Sequence, residues 1–281
     1  MFKNISRFVA AATGGQVSSA VIRKVPSQAS VARWWVDLSM AAGIPTPQYY
    51  ASEPLVAARL NPLKGIFHGD NKSPSEKYLH SLELITPSTA LVGQYYLLDY
   101  LLYYPFVDLD SLDVQVFDNT TPLNRYTDGD GVMAMFVCSA PTTGGGTFTF
   151  DYVNQLGESK TSPTISFTTA AASIASLLTS QPAVNAGIGP FLPLASGDTG
   201  IRSITSLTNI TGTGGLGTLV LVKPIATHSI WEINTAHEVE YIRDRPQLPR
   251  IYDGAYLNLI VQGAATVAAS TLVGRLSTVW S

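Results

Sequence analysis

The chain has little charge. Only 13% of its 281 residues are charged, about half the share of an average soluble domain, while Gly, Pro, Ser and Thr are plentiful. Such a composition is poor in helix-favouring residues and rich in strand and turn formers. It also provides little charged surface, which favours a protein that covers much of its outside in an assembly.

The chain has almost no cysteine, and its histidines are few. One cysteine excludes an internal disulfide and a cysteine-based zinc site. Cys138 lies in the apolar run VMAMFVC, which favours a buried, unreactive thiol. The histidines show neither H-E-x-x-H nor any pairing at metal-ligand spacing, so we expect no metal-binding residue. They are His68, His80, His228 and His237.

A membrane-spanning helix is also not expected. Residues 255–273 carry no charge and are long enough for a span. Asn258, Gln262 and Gly263 interrupt them, however, which favours two strands joined near Gly263. The apolar stretch near the start, MFKNISRFVAAATGG, is too short for a signal-peptide core. We therefore predict no membrane partner.

The charge that is present is unevenly distributed. Residues 1–64 contain seven Lys or Arg against two acidic residues, a balance of +5, whereas the remaining residues have a balance of −8. This asymmetry predicts docking onto an acidic neighbour, either another protein or a second copy. Nucleic acid is not expected as a partner, because no basic residues cluster with aromatics.

Proline placement divides the chain in two. Six prolines interrupt every apolar segment of the first 75 residues, although VARWWVDLSM favours a strand there. We predict that residues 1–75 form a basic, Pro-rich N-terminal arm or irregular subdomain. Residues 76–281 are predicted to form a β-sandwich body.

Strand signals recur at short spacing throughout the predicted body. KYLHSLELI and QYYLLDYLLYYPFVDL come first, and the second is so long that it must bend or be buried on both faces. The clearest hairpin spans residues 144–169, with Phe148, Phe150 and Tyr152 on one face. A short helix is expected beyond Ala170. IRSITSLTNIT, TLVLVKP, SIWEINT and HEVEYIRD predict further strands. Roughly ten short strands favour a mainly β fold, an antiparallel sandwich of jelly-roll type.

One glycine-rich stretch matches a nucleotide-binding motif. In NITGTGGLGTLVLVKP, Gly212, Gly214 and Gly217 satisfy G-x-G-x-x-G, which in a dinucleotide-binding domain precedes a helix. Here TLVLVK follows and predicts a strand. We therefore expect a hairpin tip over residues 209–217, mobile or contact-making, whose glycines supply positive φ angles. No cofactor-binding residue is expected.

Acidic residues also fail to form a catalytic or calcium-binding pattern. Four aspartates in DLDSLDVQVFD lack the glycine and terminal glutamate of a calcium loop, and TDGDG is better explained as a turn. Glu238 and Glu240 would share a strand face, which favours solvated carboxylates over a glycosidase pair. With no G-x-S-x-G elbow, we expect no catalytic residue and no enzyme. The aspartates are Asp108, Asp110, Asp113, Asp118, Asp128 and Asp130.

Aromatic residues crowd one segment. Such rings can form a carbohydrate platform, but they also fill cores and subunit interfaces, and we favour core and interface. The crowded tyrosines are Tyr95, Tyr96, Tyr100, Tyr103 and Tyr104, and the tryptophans are Trp34, Trp35, Trp231 and Trp280.

The chain resembles a group of structural proteins of tailed bacteriophages. The resemblance runs in order through RWWVDLSMAAGIPTPQYYASEPLVAA, KGIFHGDNKSPSEKYLH, LLDYLLYYPFVD, FDYVNQLGESKTSPT, FLPLASGDTGIRSITSLT, LVLVKPIA and QLPRIYDGAYLNLIV. It implies a non-enzymatic virion component, made in the host bacterial cytoplasm and present in many symmetric copies. It identifies no functional residue.

Together these observations predict a capsid decoration, cement or minor capsid protein. Residues 1–64 would reach the major capsid protein or other virion proteins, since an arm of that composition orders on a neighbour. A homo-oligomer is expected, and analogy with jelly-roll virion proteins favours a trimer. The alternatives are a tail, collar or fibre-base component, and a receptor- or glycan-binding module.

Overall fold

The computed structural model describes residues 5–28, 30–167, 172–181, 189–244 and 248–281. They form a mainly β protein, and every pairing between its strands is antiparallel. The strands are β1 (Val17–Val25), β2 (Trp35–Asp37), β3 (Ala42–Ile44), β4 (Lys77–Ile85), β5 (Gly93–Asp108), β6 (Gln115–Val116), β7 (Met133–Ala140), β8 (Gly146–Asn154), β9 (Ser159–Thr161), β10 (Ile165–Phe167), β11 (Ile201–Thr211), β12 (Leu216–Ile230), β13 (His237–Glu240), β14 (Arg250–Ile251), β15 (Leu257–Gly263) and β16 (Leu272–Trp280). The helices are α1 (Ile5–Thr13), α2 (Tyr241–Asp244) and the single 3-10 turns Leu38–Met40, Pro62–Lys64 and Thr89–Leu91.

The strands form three sheets. Sheet A has the order β13-β4-β16-β1-β3, with β14 also paired to β4. Sheet B has the order β2-β15-β5-β12-β7, and sheet C has the order β10-β8-β11-β6, with β9 paired to β8. The predicted antiparallel, mainly β class is therefore confirmed.

Sheet B lies between two hydrophobic cores. Along β12, Leu219 and Leu221 enter the core shared with sheet C, whereas Val220 and Val222 enter the core that includes sheet A residues such as Leu82. Successive residues of a strand point to opposite faces, so the two cores cover opposite faces of sheet B. This face-to-face packing of sheets is the arrangement of a β-sandwich.

The two longest strands explain why the central sequence is so apolar. β5 is buried over nearly its whole length, from Tyr95 to Val107, as predicted for a strand with both faces covered. Its register with β12 shifts at three places, so both strands bend along the sheet.

The predicted hairpin over residues 144–169 is confirmed for its described residues. β8 buries Phe148, Phe150 and Tyr152, and Ile165 of β10 lies directly across from Phe148. Among the other predicted strands, IRSITSLTNIT is β11 and TLVLVKP lies within β12. SIWEINT continues β12 only to Ile230, and HEVEYIRD divides into β13 and α2.

The N-terminal segment is built into the body, which corrects the predicted boundary at residue 75. β1 lies between β16 and β3 in sheet A, and β2 pairs with β15 in sheet B. Trp34, Trp35 and Leu38 are buried in the cores. Prolines shorten the elements here, but the apolar residues between them still reach the core, so residues 17–44 are not an extended arm.

Two further expectations meet different outcomes. The uncharged stretch of residues 255–273 supplies β15 and the start of β16, and no described helix is long and apolar enough to cross a membrane.

The short helix expected beyond Ala170 is a separate case. Its first residue, 171, lies outside the described part of the chain. Residues 172–180 are turns with bridges to Val36 and Val137, so the helix prediction is wrong there.

Candidate functional site

The glycine-rich loop connects two sheets. β11 belongs to sheet C and β12 to sheet B, so the two strands do not pair and the predicted hairpin is wrong. No helix follows, and β12 begins at Leu216. The strand predicted in place of a nucleotide-binding helix is thus confirmed.

Two of the three motif glycines serve close packing. A Cβ on Gly217 would lie 2.2 Å from the Phe136 ring, and one on Gly212 would lie 2.9 Å from the carbonyl oxygens of residues 109 and 110. Of the loop glycines, only Gly215, with φ of +125°, adopts the left-handed backbone. Gly212 and Gly217 are therefore required by side-chain and backbone contacts, which differs from the role we predicted, whereas a Cβ on Gly214 would meet only the Thr143 side chain, at 3.3 Å.

The aspartates singled out in the sequence form turns. Asp108 Oδ1 accepts from the amide of Asp110 at 2.9 Å, and Asp128 Oδ1 accepts from the amide of Asp130 at 3.3 Å. Within the described residues, no group of three or more His, Cys, Asp or Glu is placed to hold a metal ion. These contacts are those of aspartates that stabilise local turns.

The tyrosine-rich segment is core, as we favoured. Tyr95, Tyr100, Tyr103 and Tyr104 are buried, and Tyr96 is half-buried, with its ring 5.3 Å from that of Trp35. An exposed glycan platform built on these tyrosines is thereby excluded.

One of these buried tyrosines, Tyr100, belongs to a network around Asp37. Its carboxylate is fully buried and accepts from the hydroxyls of Tyr50, Tyr100 and Ser39 and from the Ser39 amide, at 2.6 Å for Tyr100 and 2.8 Å for both Ser39 contacts. Burial, and then the negative charge of Asp37, raise the pKa of Tyr100 well above its usual value. With four donors, this carboxylate has its acceptor capacity filled, so it stabilises the core rather than binding a ligand.

Lys24 is a buried cation near the same network. Its ammonium donates to the carbonyl oxygens of Ala41 and Pro45, at 3.3 and 2.8 Å. Burial lowers the pKa of Lys24 to about 8, and Asp37 opposes that shift. The amine thus donates to two backbone carbonyls.

A second buried group joins His68, Lys77 and Asp253. The Lys77 ammonium lies 3.1 Å from His68 Nδ1 and donates to Asp253 at 2.9 Å. Burial, and then the charge of Lys77, lower the pKa of His68 to about 4. The imidazole is therefore neutral near pH 7, and its Nε2–H donates to the carbonyl oxygen of Ala255 at 3.1 Å.

Cys138, Glu238 and Glu240 show no catalytic arrangement. Burial raises the pKa of the Cys138 thiol to about 12, as expected for an unreactive thiol. Glu240 lies 3.3 Å from His80 Nε2 and 3.5 Å from Arg243, and Glu238 is exposed. These carboxylates lie on a partly solvated strand, as predicted.

One cavity contains polar groups without partners. It measures about 480 Å³, opens to solvent between the end of β12 and β13, and is lined by Thr227, His228, Ser229, Trp231, Ala236, His237, Glu238 and Val239. His228 is 3% exposed, and neither of its ring nitrogens has a hydrogen-bond partner. The backbone of His237 lies close enough to favour the charged form of His228, but outside hydrogen-bond geometry. No sequence motif points to this site, because the two histidines are nine residues apart and match no known metal or catalytic pattern.

A basic, apolar surface covers one end of sheet A. We call it the β1 face and define it by Val21, Arg23, Ile44, Val273 and Arg275, all exposed. Arg23 lies directly across from both Val273 and Ile44, and Val21 across from Arg275, so all five side chains share one face. Neither arginine forms an ion pair within the described residues.

The rest of that sheet surface is partly covered. Helix α1 packs Ala11 against Tyr78 and Val279 at the other end of the same face. Half-buried Glu83 lies across from Arg275 on the β4 side. The β1 face is therefore the part of this surface left open, bounded by α1 on one side and by the edge strand β3 on another.

An acidic, apolar surface lies at the edge of sheet C. We call it the β6 edge and define it by the exposed Leu112, Val114 and Val116 together with the exposed Asp110, Asp113 and Asp118. The strand β6 is the last of its sheet and pairs on one side with β11. Val116 lies on this edge strand and Leu112 and Val114 lie just before it. Exposed apolar residues at the edge of a sheet mark a site for further contacts.

Comparison with known proteins finds no relative. No protein-family model matches the chain, and neither a curated protein nor a solved structure does. The candidate functions below therefore depend on the sequence and on the surfaces just described.

Proposed function

We propose that the protein is a non-enzymatic structural component of a tailed-phage virion. Within that class, a capsid decoration, cement or minor capsid protein is our first choice, and a tail, collar or fibre-base component is the alternative. Its partners would be the major capsid protein, other virion proteins or further copies of the chain, and it would assemble in the host bacterial cytoplasm. The resemblance in sequence and the low charge support this proposal.

The observation that carries the proposal is the β1 face. Three exposed aliphatic side chains are contiguous with two arginines that have no ion-pair partner among the described residues. Such a surface fits a partner that is apolar at its centre and acidic around it. The docking role first assigned to a basic N-terminal arm thus moves to strands β1 and β3, which that same segment forms.

The chain itself carries a complementary surface. The β6 edge is aliphatic and acidic, and it lies on sheet C, across sheet B from sheet A. Because the two surfaces differ, a contact between them is heterologous, and copies joined in this way close into a ring or extend as a filament. A closed trimer is the smallest ring that fits the expected homo-oligomer.

The connections between the sheets bear on the predicted jelly-roll topology. The chain passes from one sheet to another between β4 and β5, β11 and β12, β12 and β13, and β15 and β16. Jelly rolls connect their sheets by crossings of this kind. We propose a jelly-roll-like topology on that basis.

Incorporation into particles tests the function. A host carrying the encoding genome is supplied with the chain, with a Val21→Asp, Ile44→Asp variant, or with the control Val31→Asp. Val31 is 46% exposed and lies outside both surfaces. We expect the wild type and the control in purified particles and the double variant reduced at least about tenfold. Equal incorporation of all three chains would exclude the β1 face as the docking surface.

A further inference from the structure

The cavity beside β13 lies apart from the surfaces used in the proposed function. β13 is at one edge of sheet A and β3 of the β1 face is at the other. The role of the cavity is therefore independent of the proposed function: it can bind a ligand whether or not the β1 face is a docking surface.

The first observation is the unpartnered histidine. A buried polar group without a hydrogen bond costs about 1 to 3 kcal/mol, so nearly all such groups in folded proteins have a partner. His228 has two ring nitrogens in this condition, and His237 Nε2 is a third unpartnered nitrogen in the same cavity. A ligand that both donates and accepts hydrogen bonds would satisfy them.

The second observation is an exposed indole. Trp231 lines the cavity and is 74% exposed, whereas Trp34 and Trp35 are buried. Tryptophan offers a large, rigid apolar surface that is enriched at recognition sites. The cavity thus combines a flat apolar wall with hydrogen-bonding groups.

The third observation is the charge of the lining. Among the lining residues there is no Lys or Arg, and the one carboxylate is that of Glu238. An anionic ligand would be repelled by that carboxylate and would find no fixed cation. Thr227 and Ser229 also line the cavity and carry no charge, which suits an uncharged partner.

We propose that this cavity binds an uncharged sugar, with the apolar face of one ring stacked on Trp231 and its hydroxyl groups bonded to His228 and His237. A sugar ring has both an apolar face and a rim of groups that donate and accept hydrogen bonds. A volume of about 480 Å³ holds one or two such rings. The protein would thereby attach to glycans in addition to its structural role.

The protonation of the histidine agrees with this assignment. Burial, and then the charge of His237, lower the pKa of His228 to about 4. Near pH 7 the ring is neutral and presents one donor and one acceptor, which matches a hydroxyl group that does both.

Ligand-observed NMR at pH 7 tests the site. The probes are D-glucose, D-galactose, D-mannose, N-acetylglucosamine and lactose, titrated into the full-length protein. We expect at least one of them to bind with a Kd on the order of 1 mM. Trp231→Ala, a surface change that leaves the core intact, should weaken that binding about tenfold or more. Phe67→Ala is the control, because Phe67 is 55% exposed and lies outside the cavity, and it should bind like the wild type.

Three outcomes would overturn the proposal. The first is that none of the five sugars binds to the wild type. The second is that Trp231→Ala and Phe67→Ala bind a sugar equally well. The third is that Zn²⁺, titrated alone, binds in a manner that requires both His228 and His237 while no sugar binds, which would assign the cavity to a cation.

Discussion

Val21 of β1 lies directly across from Arg275 of β16, and both side chains are exposed on the same side of sheet A. Within the described part of the chain, Arg275 has no ion-pair partner. An aliphatic side chain beside such a cation disfavours contact with a basic or strongly polar surface and favours contact with an acidic, apolar one. This pair belongs to the β1 face and lies beside Arg23, which is across from both Val273 and Ile44.

Self-association of the purified chain is expected to depend on this pair. Val21→Asp and Arg275→Glu each place a negative charge against the acidic β6 edge, so each should weaken association about tenfold or more. Sedimentation velocity over a range of concentrations measures the effect, with Val31→Asp as the matched control. If the variants sediment as the wild type does, copies do not meet through the β1 face.

Asp37 is expected to be a major source of stability. Asp37→Ala removes the acceptor for three buried hydroxyl groups, so the free energy of unfolding should fall by about 3 kcal/mol or more. Asp113 is exposed, so Asp113→Ala should change the free energy of unfolding by less than about 0.5 kcal/mol. Urea unfolding measures both, and similar losses in the two variants would contradict the assigned role of the network.

The buried ion pair of Arg125 and the partly exposed ion pair of Arg250 should contribute differently to the free energy of unfolding, measured in the same urea assay. Arg125 donates to the fully buried Asp99 through Nε at 2.9 Å and Nη2 at 2.7 Å. Arg125→Met leaves that carboxylate buried and unpaired, so we expect a loss of about 3 to 5 kcal/mol. Arg250→Met breaks a 3.0 Å pair with Glu76 that is partly exposed, and should cost about 1 kcal/mol or less. Equal losses of unfolding free energy in the two variants would contradict the difference expected between a buried and an exposed ion pair.

Stability should fall on acidification between about pH 6.5 and pH 4. The pKa values of His68 and His228 are lowered to about 4 in the folded protein, so in this range the unfolded chain binds more protons. Unfolding free energy therefore rises with pH across the window, by up to about 1.4 kcal/mol per pH unit for each histidine, and levels off above it. His228→Phe should reduce this slope, as measured by urea unfolding at several pH values. A slope that stays the same in the variant would contradict the assignment.

Local sequence patterns were sufficient to predict most of the strands. Alternation at period two located Phe148, Phe150 and Tyr152 on one face, and continuous apolarity predicted that β5 would bend or be covered on both faces. Partners far apart in the chain were not predictable in this way. Nothing local shows that β1 pairs with β16, or that β11 and β12 belong to different sheets, because pairing depends on which apolar surfaces meet in the folded chain.

The candidate sites, like the strand pairings, depend on contacts between residues that are far apart in the sequence. That Gly217 faces the Phe136 ring, and that His228 and His237 line one cavity, follows from tertiary contacts alone. The basic character of the N-terminal segment was visible in the sequence. Its placement on a strand face was not, because the prolines that suggested an arm end strands without preventing them from pairing.

The most direct measurement of the central claim is the composition of purified particles. Quantitative mass spectrometry of density-purified particles from cells carrying the encoding genome counts the copies of this chain relative to the major shell protein. We expect the chain in every preparation, in hundreds of copies for a shell component and in tens or fewer for a tail or collar component. Particles of full infectivity that lack the chain would contradict the proposal that it is a structural component of the virion.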